Sequence, residues 1–455
     1  MMRANRRGLA ALACLGLLAG CVRYHAHPIL PGIEADDFSR RRLDSPELRT
    51  LAARSLPATA PGATSWDLDR FTLAALYYHP DLLVARARLA TSEAAARTAR
   101  QLPNPTITIL GGPSAQDIGY SLTLLFETFG KRGYRIAQAE KLSAAARWNV
   151  AGAAWQIRSN LRSALLAYWS TRNRLALARR RSSAQQQLET LQQQQLEQGA
   201  ISSTDLALQR VARAQTDLAV SDLERQQAEN RVALAVAIAV PVEALEAIPV
   251  DLSVFDRPPS IPQLGPGTAV RRQALTSRAD LEELLAAYAA SEAALHGEIA
   301  RQYPSLTISP AYNYDFRNRF EINPSVELPV FNQNQGPIAE AEARRREAAA
   351  RFLALQAQVI GQIERADASY RAATGTLAKA DRLAGRERQR LHQAQRSFEA
   401  GAADRPTLVT AEAEAVTVAA LRFDAVAQQR QAVGLLEDSL QQPLFERAWS
   451  GGTHR

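Results

Sequence analysis

The feature that most limits the fold is a run from Gly130 to Gln198 that contains no proline. It is rich in Ala, Leu, Gln and Arg, the residues that lose least on entering a helix. At 1.5 Å per residue it makes a rod of roughly 100 Å. That is several times an ordinary globular helix. The run ends at Gly199-Ala200-Ile201-Ser202-Ser203-Thr204-Asp205, a glycine stop followed by N-cap residues for another helix. Most helix stability comes from a packed apolar face, so a rod this long needs lateral partners.

The chain supplies a second rod by internal duplication. Gln101-Leu102-Pro103 matches Gln302-Tyr303-Pro304 at an offset of 201. Ile136-Ala137-Gln138-Ala139-Glu140 matches Ile338-Ala339-Glu340-Ala341-Glu342 at 202, and Glu197-Gln198-Gly199-Ala200 matches Glu399-Ala400-Gly401-Ala402 at 202. Each half reads as helix, two strands, very long helix, turn and helix. In the first half a helix begins near Trp66 or Asp67, and Asp81 caps the next, Leu82 to Gln101. The alternating, β-branched Thr106 to Leu110 and then Ile118 to Phe129 read as strands. The second half repeats this with a helix from Ser277 to Arg301 and a strand from Leu306 to Phe316. After a turn at Arg317-Asn318 come the strand Arg319 to Phe331, the rod Gly336 to Ala400 and a last helix to about Leu440.

The pattern divides the chain into a signal peptide (1–20), an N-terminal linker (21–65), a first repeat (66–240), a proline-rich linker (241–276), a second repeat (277–442) and a short frayed tail (443–455). Arg3, Arg6 and Arg7 precede the apolar stretch Leu9 to Leu18 and then Leu18-Ala19-Gly20-Cys21. This is the layout of a secretory signal. It resembles the bacterial lipoprotein signal, in which Cys21 is lipidated and becomes the first mature residue. Cleavage there lowers the formal charge of +8 by three. The plainer alternative is an ordinary signal with an incidental cysteine. Cys14 falls inside the signal, so no cysteine remains for a disulfide or a thiolate metal site. No later run is long and apolar enough for a transmembrane helix.

Two strands per half give four per chain, too few to close a sheet, and open edges are not tolerated in lipid. Several chains together close a barrel, and the alternation suits that role. The helices are too polar to span a membrane and suit a long periplasmic tube. In each half, the helix before the strands and the helix after the glycine turn stack end to end to match the rod.

With the duplicated architecture, the segment Leu328-Pro329-Val330-Phe331-Asn332-Gln333-Asn334-Gln335-Gly336 and the turns at Gly199 and Gly401, residues 66 to 442 resemble the TolC family of outer-membrane efflux channels. Phe129-Gly130-Lys131-Arg132-Gly133 is most similar to the CzcC-like heavy-metal branch. The resemblance implies a mainly α fold with a membrane β-barrel: a homotrimer with a 12-stranded barrel on an α-helical periplasmic tunnel. It implies no enzyme activity and no cofactor beyond the lipid on Cys21. The duct passively conducts cargo, metal ions or drugs, from an inner-membrane transporter, with the RND type as one class, and a periplasmic adaptor. Val22 after the lipidated cysteine favours the outer membrane over inner-membrane retention.

By the same resemblance, Gly199, Ala200, Ile201 and Ser202, with Gly401, Ala402 and Ala403, form the tips where adaptor hairpins dock. Asp205 and Arg405 match charged gate residues, and Glu412 projects an acidic ring. The alternative for Asp205 is a first-turn acid favoured by the helix dipole. The second-tip Asp common in the family is Val409 here, which weakens a full acidic constriction. His25 and His27 form a lone HxH beside the anchor, read as linker residues or a metal relay. Enzyme motifs are absent, and the basic residues are interspersed with acids along helices, which argues against nucleic acid. The competing class is a periplasmic coiled-coil adaptor or structural lipoprotein, which has no use for two strand pairs.

Overall fold

The structure is a computed structural model, and it describes residues 24–55, 65–111, 118–246, 248–257, 261, 268–315 and 317–445. Cys21, Val22 and the signal segment lie outside the described residues. The chain divides into two units, Met1–Arg42 and Leu43–Arg455. In the first, helix α1 (Pro31–Ser39) opens on a proline, and the Arg41 guanidinium lies 5.1 Å over the Phe38 ring. His25 and His27 are exposed.

The second unit holds both repeats. It opens with α2 (Pro46–Ser55), α3 (Leu68–Tyr78) and α4 (Pro80–Ala99), then β1 (Thr106–Gly111) and β2 (Ile118–Phe126). Rod α5 (Lys131–Glu197) and α6 (Ser203–Ile238) complete the first repeat. Helix α7 (Ala269–Ser277) leads to α8 (Ala279–Ala300), β3 (Leu306–Asp315), β4 (Arg317–Val326), rod α9 (Gln335–Glu399) and α10 (Arg405–Leu440). The rods have 67 and 65 residues; the first contains no proline, and the second carries one only in its first turn, Pro337, where it costs no helical hydrogen bond.

The structure corrects several sequence readings. The stretch read as N-terminal linker contains α1 and α2, because proline at the start of a helix costs no hydrogen bond. Asp81 does not cap α4. His79 does, accepting from the Asp81 amide, with Pro80 at the first helical position. The proline-rich segment is no free linker: it forms 3-10 turns at Val242–Leu245 and Ser253–Phe255 and buries Leu245, Leu252 and Phe255. Arg317 and Asn318 are not a turn but open β4, paired with Asp315 and Tyr314, and β4 stops at Val326. The tail is packed at its start, where Phe445 meets Phe255 edge-on at 5.4 Å.

The four strands form one antiparallel sheet in the order β1-β2-β3-β4, so the repeats join through β2 and β3. That ladder skips Leu122 and Thr123, opposite Pro310 and Ser309. Pro310 has no N–H to give the ladder. The Thr123 and Ser309 hydroxyls bridge the gap at 3.2 Å. Below the sheet, α5 packs against α4 and α6 in one direction and α8 and α10 in the other, and α9 packs against α8 and α10. The expected end-to-end stacking is therefore present, with α4 above α6 and α8 above α10.

Candidate functional site

Three places bear on function: the two faces of the sheet, the level where the stacked helices meet, and the two turns at the far ends of the rods.

Strand alternation sorts the sheet by chemistry. Register puts Ile107 and Ile109 on the face of Leu122 and Tyr120, and these on the face of Tyr312, Phe320 and Ile322. That face carries bare apolar groups, with Ile107 71%, Ile109 73% and Phe320 70% exposed. The opposite face is mostly polar, presenting Thr106, Thr108, Ser121, Thr123, Asn313 and Arg319, with Leu110 and Leu125 as its exposed apolar residues. A contiguous exposed apolar face on a thin sheet needs a cover. Among the described residues no helix is long and apolar enough to cross a membrane.

Each strand-to-rod junction uses left-handed backbone. Phe129 and Gly130 have φ of 56° and 75°, and Asn334 has 63°. For a bulky phenylalanine this conformation is strained. Phe129 is compensated by stacking on Tyr303 with ring centres 4.5 Å apart, while Lys131 Nζ donates to the Tyr303 carbonyl at 2.6 Å. Burial holds the Lys131 ammonium below its ordinary pKa. Asn334 donates from Nδ2 to the Glu298 carbonyl at the end of α8 at 2.7 Å.

At the first joint, α3 and α4 meet α6 through an apolar core of Phe71, Leu82, Leu234, Ile238 and Phe255. The second joint is ionic. Glu437, with 0% of its side chain exposed, accepts from Arg158 at 2.6 Å and from Arg162 at 2.8 Å. Arg162 also reaches Asp438 at 2.7 Å and the Gly434 carbonyl at 2.8 Å. A Cβ at Gly434 would lie 3.0 Å from the Arg162 guanidinium carbon, so glycine makes the room. Arg278 spans the joint: it pairs with Asp280 at 2.7 Å and donates to the Ser439 carbonyl at 2.5 Å. A cleft of about 810 Å³ opens here, between α4, α5, α8, α9 and α10, and Asp438 and Arg278 line it. Sequence reasoning missed this network. The only signal for it was Arg158, Arg162 and Glu437 in otherwise apolar helical registers.

The turns match each other closely. Gly199 and Gly401 take φ of 72° and 70°. The amides of Ala200 and Ala402 donate back to the Gln195 and Ser397 carbonyls at 2.8 Å, which closes a Schellman motif at each rod end. Asp205 forms a capping box with Ser202. The Ser202 hydroxyl and then the Ser202 amide hold its carboxyl below the usual aspartate pKa. In the second turn Asp404 is the N-cap, accepting from the Thr407 amide at 3.0 Å, and the Thr407 hydroxyl lowers its pKa. Its role as cap was not assigned from the sequence. Arg405 lies over the Phe398 ring at 5.7 Å, and no ion pair joins it to Asp205 within one chain. Glu412 is half-buried, and Val409 is fully buried. Ala200, Ser202, Gly401 and Ala402 are exposed, and Ile201 and Ala403 half-buried. Among the described residues no cluster of His, Cys, Asp and Glu could hold a metal ion.

No family model matches the chain. The cobalt-zinc-cadmium resistance protein CzcC of Cupriavidus metallidurans is 25% identical over 267 residues, 57% of this chain and 62% of that protein. The chain thus spans less than two thirds of the length of this curated relative. Among solved structures, the outer-membrane channel OprN superposes with a TM-score of 0.67 at 18% identity, over 83% of this chain and 91% of that one. CusC, described for transmembrane channel formation, gives 0.66 at 15% identity over 92% and 98%. The outer membrane protein VceC of Vibrio cholerae gives 0.65 at 18% identity over 82% and 95%. The chain therefore has the mainly helical fold of outer-membrane channel proteins, with a four-stranded open sheet in the single chain.

Proposed function

We propose that this protein is the outer-membrane exit duct of a tripartite efflux system. The observation that carries the reading is a sheet with one exposed apolar face, one mostly polar face and two unpaired edges, β1 and β4. Lipid suits the apolar face, but an open edge is costly there, so copies must join edge to edge until the sheet closes. The two edges differ, so the contact is head-to-tail and generates a ring. Three copies give a 12-stranded barrel, within the range of membrane barrels. The helices below continue the ring as a periplasmic tunnel, and the polar strand face lines the pore.

The duct does no chemistry of its own. An inner-membrane transporter supplies the driving force and a periplasmic adaptor docks at the tips around Gly199 and Gly401. Asp205, Arg405 and Glu412 act at the closure of the tips, between copies rather than within one. Cys21 carries the lipid anchor. The likeness to CzcC supports divalent heavy-metal cations as the cargo class. The test is the mass of the solubilised protein by native mass spectrometry. Three copies are expected, and a Thr108→Pro change in edge strand β1 should reduce them. A wild-type monomer would overturn the reading.

A further inference from the structure

A cavity of about 230 Å³ lies where the proline-rich segment between the repeats crosses α5 and α6. Its apolar wall is Leu234, Leu245, Ile248 and Val250, the first two fully buried. That wall is fixed by backbone pairing. The Trp66 amide donates to the Pro249 carbonyl and the Asp251 amide to the Trp66 carbonyl, each at 2.8 Å, on either side of Val250.

The rest of the lining is basic. Arg172 of α5 and Arg231 of α6 both line the cavity, and Tyr168, one turn before Arg172, adds a hydroxyl-bearing side chain. Asn230 Nδ2 donates to the Thr171 hydroxyl at 2.8 Å, which sets the two arginines at one level of the helix pair. Neither arginine has an ion pair or a hydrogen bond among the described residues. Other arginines of the same two helices do: Arg174, Arg179, Arg213 and Arg225 reach carboxylates at 2.7, 2.7, 2.9 and 2.6 Å. The acid in the lining, Glu246, is exposed at the rim and pairs with neither guanidinium. Two guanidiniums at one apolar-walled cavity repel each other unless an anion lies between them.

We propose that this cavity binds a small organic oxyanion, a carboxylate or a phosphate monoester with a short apolar body. The planar forks of Arg172 and Arg231 take its oxygens, as arginine does for both groups. Leu234, Ile248 and Val250 take its carbons. A few convergent polar groups on an apolar wall are the make-up of a small-ligand site. A phospholipid headgroup does not fit. Arg172 stands about 40 residues, ~60 Å, along α5 from its sheet end, whereas a whole bilayer around the sheet is only ~40–45 Å thick. The site asks nothing of the pore, and its failure would leave the duct reading untouched.

The experiment is calorimetric titration of the full-length, detergent-solubilised protein in phosphate-free chloride buffer. The probes are phenyl phosphate, benzoate and inorganic phosphate at matched ionic strength. One of the two aromatic probes is expected to bind several-fold more tightly than inorganic phosphate, and which one it is tells phosphate from carboxylate. Arg172→Gln and Arg231→Gln should each weaken that binding at least about tenfold, the loss of a charge-assisted hydrogen bond. Neither change should lower the unfolding midpoint without probe, because each removes one of two like charges. Glu246→Gln at the exposed rim carries no risk to folding and should tighten binding about two- to threefold. Equal binding by the wild type and both arginine variants overturns the site, and so does weaker binding by Glu246→Gln. No binding of any probe overturns it as well. If the arginine variants then lower the yield of oligomer, an acid of a neighbouring copy fills the cavity instead.

Discussion

The two joints where stacked helices meet solve one problem with opposite chemistry. In the first repeat, α3 and α4 sit on α6 through Phe71, Leu82, Leu234 and Ile238, with Phe255 from the inter-repeat segment filling the gap. In the second, α7, α8 and α10 meet α9 through a smaller cluster of Ala274, Leu281, Leu436, Val359 and Ile363, and the side turned to α5 is closed by Arg158, Arg162, Glu437 and Asp438. An apolar joint is non-directional and tolerates small slips. A buried ionic joint is a weak source of net stability, but breaking half of it is expensive. The second joint thus fixes position more than it adds stability. It holds the end of α10 against the middle of α5, where the repeats are tied together.

This contrast can be broken by mutation. The largest expected effects are equal in size and differ in rescue. Phe71→Ala should cost about 3–5 kcal/mol through lost burial and a cavity. Glu437→Ala should cost a similar ~3–5 kcal/mol by leaving Arg158 and Arg162 buried without their carboxylate. Denaturant unfolding of the solubilised protein measures both. Replacing Arg158, Arg162 and Glu437 together by Met, Leu and Met should recover most of the second loss, because an apolar set of similar volume has no desolvation penalty. If the triple replacement is as unstable as Glu437→Ala, the joint is a net stabiliser and the contrast is wrong.

Next in size is Gly434→Ala. Alanine normally favours a helix interior by about 1 kcal/mol over glycine. Here its methyl would meet Arg162, so the gain should vanish or reverse. Gly375→Ala on α9, where nothing lies within 4 Å of the added carbon, should show the ordinary gain. Equal effects at the two sites would show that Arg162 moves aside freely.

Smaller still are the turns. Asp404→Ala removes an N-cap, worth about 1 kcal/mol locally, and hydrogen exchange at the second turn should rise while the joints stay protected. Both cap carboxyls, Asp205 and Asp404, have pKa values below the ordinary aspartate value in the folded state. Their contribution is therefore complete above the unfolded value of about 4, and is lost as pH falls through the lower folded values. Exchange at the amides of Ser202 and Thr407, which donate to the Asp205 and Asp404 carboxylates, should speed up only in that acid range. Acceleration near neutral pH would assign the turns another support.

Much of this was legible in the residues, for a physical reason in each case. A proline-free run of good helix formers can only be a long helix, and Gly199 and Gly401 stop it where left-handed backbone is needed. The strands were legible from β-branched alternation. Their ends were not, because Leu328 to Phe331 continues the apolar pattern after the pairing has stopped at Val326. The proline-rich segment misled because proline excludes regular helix interiors but not 3-10 turns, and Phe255 is buried by distant partners. The joint network was illegible because a buried arginine looks like a surface one until its partner, some 275 residues away, is known. Asp205 was named for its charge, whereas within one chain its carboxyl is engaged by the Ser202 amide and hydroxyl.

The proposed duct is a closed pore built from several copies of an open sheet. Single-channel recording of the purified oligomer in a planar bilayer tests this most directly. The expected result is discrete conductance without nucleotide or other energy source, raised when Asp205→Ala and Arg405→Ala are combined at the tips. A protein that inserts as a monomer, or that gives no conductance in either form, would contradict it.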